Sequence, residues 1–212
     1  MNWLDKLERK YSRFCIHNLI SLLIAGQIVV YAVELFVNPY ISLWLGLDRA
    51  ALLGGQIWRL LSFVIVPFSG GGPLSVVLGM YFTWFIGSAL ERAWGDFRFN
   101  LYVLLGMVGA VLACLFTGWA STYCLSLSLL LAFAFLYPEM QVLLFFFIPI
   151  RVKYFGLFAG AMWVFSFLSA SFSGKLNYLL SMLGFLVFFA PMAWHSVRAW
   201  VRREQWKRRN RR

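Results

Sequence analysis

Reactive side chains are sparse in this 212-residue chain, and their positions restrict the chemistry they can do. Only two histidines occur, His17 and His195. The cysteines, Cys15, Cys114 and Cys124, sit in or beside apolar runs, without the spacing of a metal site. They read as packing thiols. Ser121 or Thr122 with Lys175 is one conceivable nucleophile and base, because burial can turn a lysine into a base. Against this, Lys175 falls at a loop boundary, where it stays solvated and charged. Cys124 lacks both a neighbouring base and an electropositive setting. No cofactor and no metal are expected.

The elements that hold these groups follow from composition. Apolar residues make up 62% and charged residues 13%, against ~45–50% and ~25% in soluble domains. A membrane helix takes ~20 apolar residues, so six spans come near the ceiling for this length. Charges mark where the chain leaves the hydrocarbon. The expected spans are Phe14 to about Pro39, Leu74–Leu90, about 99–118, 122–137, Tyr154–Phe172 and Leu176–Val197. The first reads as an uncleaved anchor. Ser69–Pro73, with three glycines and a proline, should interrupt the second apolar run. Met140–Ile150 is too short to cross and should lie at the membrane surface. Spans two and four, at about 16–17 residues or ~25 Å, fall short of the ~30 Å core.

Lys and Arg set the orientation. With the N-terminus inside, sixteen basic residues face the cytoplasm and Arg49, Arg59 and Lys175 face outward, so both termini are expected in the cytoplasm. Residues 1–13 are then a cytoplasmic segment, 14–197 the membrane domain with an outer loop at 40–73, and 198–212 a basic tail. Trp44, Trp58, Trp94, Trp119, Trp194 and Trp200 fall at expected interfaces.

An ordered set of motifs runs through this plan. Gly-Gln-Ile-Trp58-Arg59 lies in the outer loop. Trp84-Phe-Ile-Gly87-Ser-Ala-Leu-Glu91 closes the second span, followed by Trp94-Gly95, Phe99 and Tyr102-x-x-x-Gly106. Phe135-Leu-Tyr-Pro138 and Val142–Ile150 follow the fourth. In this order and spacing the chain resembles the rhomboid intramembrane serine protease superfamily over residues 14–197. The resemblance implies a six-helix, all-α rhomboid fold. It also implies a serine at the buried top of helix four, a histidine base on helix six, and a histidine–asparagine pair on helix two for the oxyanion.

Counting from matched anchors puts the serine position on Tyr123, the helix-two pair on Ser75 and Gly79, and the base on Asn177; a register two residues earlier gives Lys175. None has the required chemistry. His17 and His195 lie at the cytoplasmic ends of spans one and six, roughly 20 Å from that site by helix rise, and read as interfacial residues. Ser121, Cys124, Ser128 and Ala132 on helix four, and Ser181 and Gly184 on helix six, allow close helix approach. Gly156 and Gly160 form a further close pair, read as internal packing.

The remaining charges have simpler roles. Glu34 reads as solvated near the outer interface. Arg59 beside Trp58 should anchor the outer loop, its stem buried and its head in water. Glu91 and Arg92 should pair with Arg98 or Asp96 to hold the inner turn with Gly95. The tail, eight basic residues in fifteen, should meet anionic lipid rather than nucleic acid.

By resemblance to inactive rhomboids and derlins, the expected function is that of a pseudoprotease in membrane protein quality control. It would bind or escort transmembrane helices of client proteins in a locally thinned bilayer. The expected membrane is the plasma membrane of a bacterium or the endoplasmic reticulum of a eukaryote. The competing classes are a divergent intramembrane protease using Ser121 with Lys175, and a transporter or channel. A transporter usually carries intramembrane charges or repeats, whereas Glu34 stands alone in its span here.

Overall fold

The computed structural model describes residues 15–67, 72–120, 122–144 and 148–189. It is that of a helical membrane protein. Four described helices are long and apolar enough to cross a bilayer: α1 (Leu19–Phe36), α5 (Pro73–Trp94), α6 (Asp96–Thr117) and α8 (Val152–Ser169). A bent pair, α9 (Phe172–Ser181) and α10 (Leu183–Phe189), meets at 56° and brings the number to five if taken as one span. α7 (Tyr123–Leu136) is apolar but has only 14 residues, ~21 Å at the helical rise.

The segment between α1 and α5 folds into three short helices and one tight turn. These are α2 (Ile41–Leu45), α3 (Arg49–Leu53), α4 (Arg59–Ser62) and a 3₁₀ turn at Phe63–Ile65. Two small antiparallel ladders join the helices. β1 (Leu47–Asp48) pairs with β2 (Trp119–Ala120), and β3 (Gln141–Leu144) with β4 (Ile148–Arg151). The apolar piece expected at the membrane surface is therefore a β-hairpin.

Local chemistry sets the helix ends. Pro73 occupies the first position of α5, where its missing N–H costs nothing. Gly95 at φ +80° and Gly118 at φ +99° close α5 and α6 in conformations that L side chains rarely adopt. Both donate a backbone hydrogen bond to the residue four earlier.

Two expectations about length change here. The second span is 22 residues, not 16–17, because Glu91 and Arg92 stay helical at its polar end. The sixth begins at Phe172 rather than Leu176 and breaks at Met182; its expected continuation over 190–197 lies outside the described residues. Among the spans that lie wholly within the described residues, only the fourth is short, and half of its residues are buried. Its buried residues recur around the helix: Cys124, Leu125, Leu127, Ser128, Leu129, Ala132 and Phe133. A helix walled by protein on nearly every side need not match the bilayer thickness.

The core runs along the α1–α5–α6–α7 contact, where Ile20, Leu90, Phe99, Ala132 and Phe133 are all but fully buried. Glycines set the tightest crossings. A Cβ on Gly87 would strike the side chain of Ile20, and one on Gly109 would strike the carbonyl of Leu180. A Cβ on Gly184 would come 3.0 Å from the Tyr102 carbonyl. Gly184 therefore seats the last helix closely on α6. Gly156 meets Ala134 and Gly160 meets Leu131, so both pack internally on α7. Trp94, expected at an interface, joins an aromatic cluster with Tyr102, Phe188 and Phe189.

Candidate functional site

One end of the bundle carries Arg59, Gly118, Tyr123 and Asn177; the other carries His17, Arg92 and Glu139. At the Arg59 end, the outer segment is tied down by backbone and side-chain hydrogen bonds. Arg59 is only 7% exposed. Its Nη1 donates to the carbonyls of Leu43 (2.9 Å) and Gly46 (2.7 Å), and its Nε donates to Gln56 Oε1 (2.6 Å). The head expected in water is instead the binder of carbonyls that the short α2 leaves without intrahelical partners. Trp58 is exposed. Gln27 Nε2, buried in α1, donates to the Val64 carbonyl. The Thr122 hydroxyl donates to the Phe63 carbonyl at 2.9 Å, fastening this segment to the start of α7. Glu34 accepts from the Ser42 hydroxyl at 2.7 Å, which links α1 to α2.

Beneath this segment the structure gathers three of the four positions named from the sequence. Tyr123, the first residue of α7, lies between two cavities. The smaller, of about 260 Å³, is lined by Thr117, Tyr123, Cys124, Ser173, Asn177 and Tyr178. Asn177 Nδ2 donates to Thr117 Oγ1 at 2.7 Å, and Ser181 Oγ donates to Asn177 Oδ1 at 3.2 Å. The amide is thereby fixed between α6 and the next turn of α9. Of the two helix-six candidates, Asn177 lines the cavity with Tyr123. Lys175 lies half-buried in the first turn of α9.

The larger cleft, of about 490 Å³, opens between α5, α7 and α8. Gly79, Met80, Thr83 and Tyr123 form one side, and Phe158 and Met162 of α8 the other. A Cβ on Gly79 would touch nothing within 4 Å, so the glycine leaves open space at its position. Ser75, one turn earlier, is exposed. α8 has only 11% of its apolar window buried, against 44% for α6. Leu157, Phe158, Phe165 and Leu168 are all exposed along it. Ser121 and His195 lie outside the described residues, as do the segment 1–13 and the tail 198–212.

Among the small residues expected to pack, Cys124, Ser128 and Ser181 are buried. Ser128 satisfies its own hydroxyl by donating to the Leu125 carbonyl at 2.7 Å. Cys124 lies against Ser181, which joins α7 to α9. Cys114 and Cys124 are buried free thiols, and Cys15 is half-buried. No group of three metal-ligating side chains occurs among the described residues.

At the opposite end, the inner turn is held differently from expectation. Glu91 accepts the backbone N–H of Leu19 at 2.8 Å, and His17 pairs with Asp96. Asn100 Nδ2 donates to the Ile16 carbonyl at 2.8 Å. The turn at Gly95 is thus tied across to the start of α1. Sequence reasoning placed Asp96 in this turn but not its partner His17, and it missed Asn100. The spacing of four between Asp96 and Asn100, which puts both on one helix face, was the available signal. Glu139 pairs with Arg151 (3.0 Å) and Lys153 (2.8 Å) at the base of the hairpin. The Lys153 hydrogen bond and charge, with Arg151 adding to them, hold its carboxyl below the usual range.

Among the described residues, the lining of the Tyr123 region offers hydroxyl, amide and thiol groups but no side chain that is basic near neutral pH. Hydrolysis by a serine needs such a base within reach. What the region does offer is an apolar cleft facing lipid with a small polar cavity behind it. Compared with known proteins, the chain matches no family model and no curated protein.

Proposed function

We propose that this chain is a rhomboid-like membrane protein that has lost proteolysis and binds or escorts transmembrane helices of other proteins. In this reading α7 is the short central member of six spans, both termini are cytoplasmic, and the bilayer thins beside α7. The observation that carries it is the convergence of Gly79, Tyr123 and Asn177 on two adjoining cavities. They are far apart in sequence, and each stands at a fixed count from a separate motif. The larger cleft is apolar and bordered by the sparsely packed α8, which suits a hydrophobic helix as occupant.

Photo-crosslinking in native membranes tests the proposal. A crosslinker at Phe158 or Met162 should yield adducts with membrane proteins, while one at Val108, exposed on α6, should not. Cleavage of a rhomboid substrate by the purified protein in liposomes, abolished by Ser121→Ala or Lys175→Ala, would sink the reading in favour of a divergent protease.

A further inference from the structure

A groove at the His17 end is independent of the Tyr123 site. Its cavity measures about 390 Å³ and is lined by Asn18 and Ser21 from α1, by Trp84, Ser88, Glu91 and Arg92 from α5, and by Asp96. On α5 these fall at positions i, i+4, i+7 and i+8, one face of the helix. Ser21, Trp84 and Arg92 are exposed, beside exposed apolar residues of the same helices such as Leu22 and Tyr81. In this polar stripe Glu91 and Asp96 tie α5 and the turn after it to the start of α1, whereas Arg92 and Ser88 have no such role in the bonds described above. The Trp84 indole N–H meets only the Ser21 hydroxyl, at a long 3.4 Å.

The stripe is graded with depth. From Arg92 to Trp84 it runs ~12 Å along the helix, which covers the headgroup layer and the edge of the hydrocarbon. At the surface stand one cation, Arg92, and one carboxylate, Asp96, which also pairs with His17. The Glu91 carboxylate is engaged by Leu19. Deeper lie the hydroxyls of Ser21 and Ser88 and the indole of Trp84, which can donate. We propose that this groove is a binding site for a phospholipid with a primary-amine zwitterionic headgroup, such as phosphatidylethanolamine.

Each part of that lipid has a counterpart. The phosphate pairs with the Arg92 guanidinium. The ammonium, with three N–H donors, pairs with Asp96. The ester carbonyls, which only accept, meet Ser21, Ser88 and Trp84. The acyl chains continue over Leu22 and Tyr81. The groove's own side chains carry one positive and two negative charges, so a net anionic headgroup is the poorer complement.

The full chain in nanodiscs of phosphatidylethanolamine, phosphatidylcholine and phosphatidylglycerol, followed by native mass spectrometry, tests this. The protein should retain phosphatidylethanolamine about tenfold over the other two, a preference that one good charge-assisted contact can supply. Asp96→Asn should abolish the preference, and Arg92→Gln, which removes the contact to a phosphate that all three lipids share, should lower the retention of all three. The double variant Ser21→Leu with Ser88→Leu keeps every charge and the α1–α5 cap, and should weaken retention of all three lipids, whose ester carbonyls are alike, without changing their order. Arg151→Gln, outside the groove, should leave the preference intact. Equal retention of phosphatidylcholine would overturn the proposal, as would preference for phosphatidylglycerol. So would equally tight binding of soluble phosphoethanolamine, since the site would then serve a solute and not a lipid.

Discussion

Glu91, near the end of α5, caps the first residue of α1: its carboxylate accepts the Leu19 N–H at 2.8 Å. A helix start leaves its first N–H groups without partners, and in a buried setting an orphan is costly. The charge at position 91, which would break the second span if hydropathy alone decided, instead joins two spans.

This bond sets a first expectation. Glu91→Ala leaves the Leu19 N–H unsatisfied and should cost about 1–3 kcal/mol. Glu91→Gln keeps an acceptor and should cost less. Thermal unfolding in detergent, read by tryptophan fluorescence, gives the order; equal loss in both variants would show that charge, not capping, matters.

Arg59 and its neighbour should behave oppositely. Arg59→Ala orphans the Leu43 and Gly46 carbonyls and should destabilise by about 1–3 kcal/mol. Arg59→Lys should not restore it, because a lysine lacks the planar fork that reaches Leu43, Gly46 and Gln56 together. Trp58→Ala, at an exposed position, should stay within about 0.5 kcal/mol in detergent. The same unfolding assay checks all three.

The glycines divide by what a methyl group would meet. Gly109→Ala forces a Cβ onto the Leu180 backbone and should cost about 1–3 kcal/mol. Gly79→Ala faces open space and should be neutral or gain up to about 1 kcal/mol from helix propensity. Chemical unfolding midpoints of the two variants should move in different directions, or only the first should move.

Acid should loosen the base of the hairpin. The Glu139 carboxyl is held below its ordinary value, chiefly by Lys153, so the unfolded segment takes up the proton first. The contribution of the Glu139 pairs is complete above the unfolded carboxylate value of ~4.3 and fades as pH falls through the lower folded one. Protection against hydrogen exchange at Val152 and Lys153, whose N–H groups bond the carbonyls of Met140 and Pro138, should fall across that window once the intrinsic rate at each pH is divided out. Glu139→Gln should remove the pH dependence.

Apolar runs and turn glycines were enough to locate the long helices, and motif spacing singled out Tyr123, which shares one cavity with Gly79 and another with Asn177. Where the reading went astray, the cause was a charge with an unforeseen partner. Glu91 stays helical because Leu19 needs an acceptor. Arg59 is buried because α2 ends in open carbonyls. The hairpin at Gln141–Arg151 was hidden because a short apolar run has no helical or strand period to distinguish it. The partnership of Asn177 with Thr117 left no mark at all, since it spans 60 residues and neither neighbour is unusual.

The β1–β2 ladder has a consequence for how the protein is made. Leu47 pairs with Ala120, and Phe63 receives the Thr122 hydroxyl, so the segment after α1 is completed by residues synthesised long after it. While α5 and α6 emerge, that segment has left the ribosome but lacks the partners that close its hydrogen bonds. Its shape is therefore settled late, by a non-local closure once α6 has crossed, and an interruption of synthesis before Gly118 would strand it unfinished on the membrane surface.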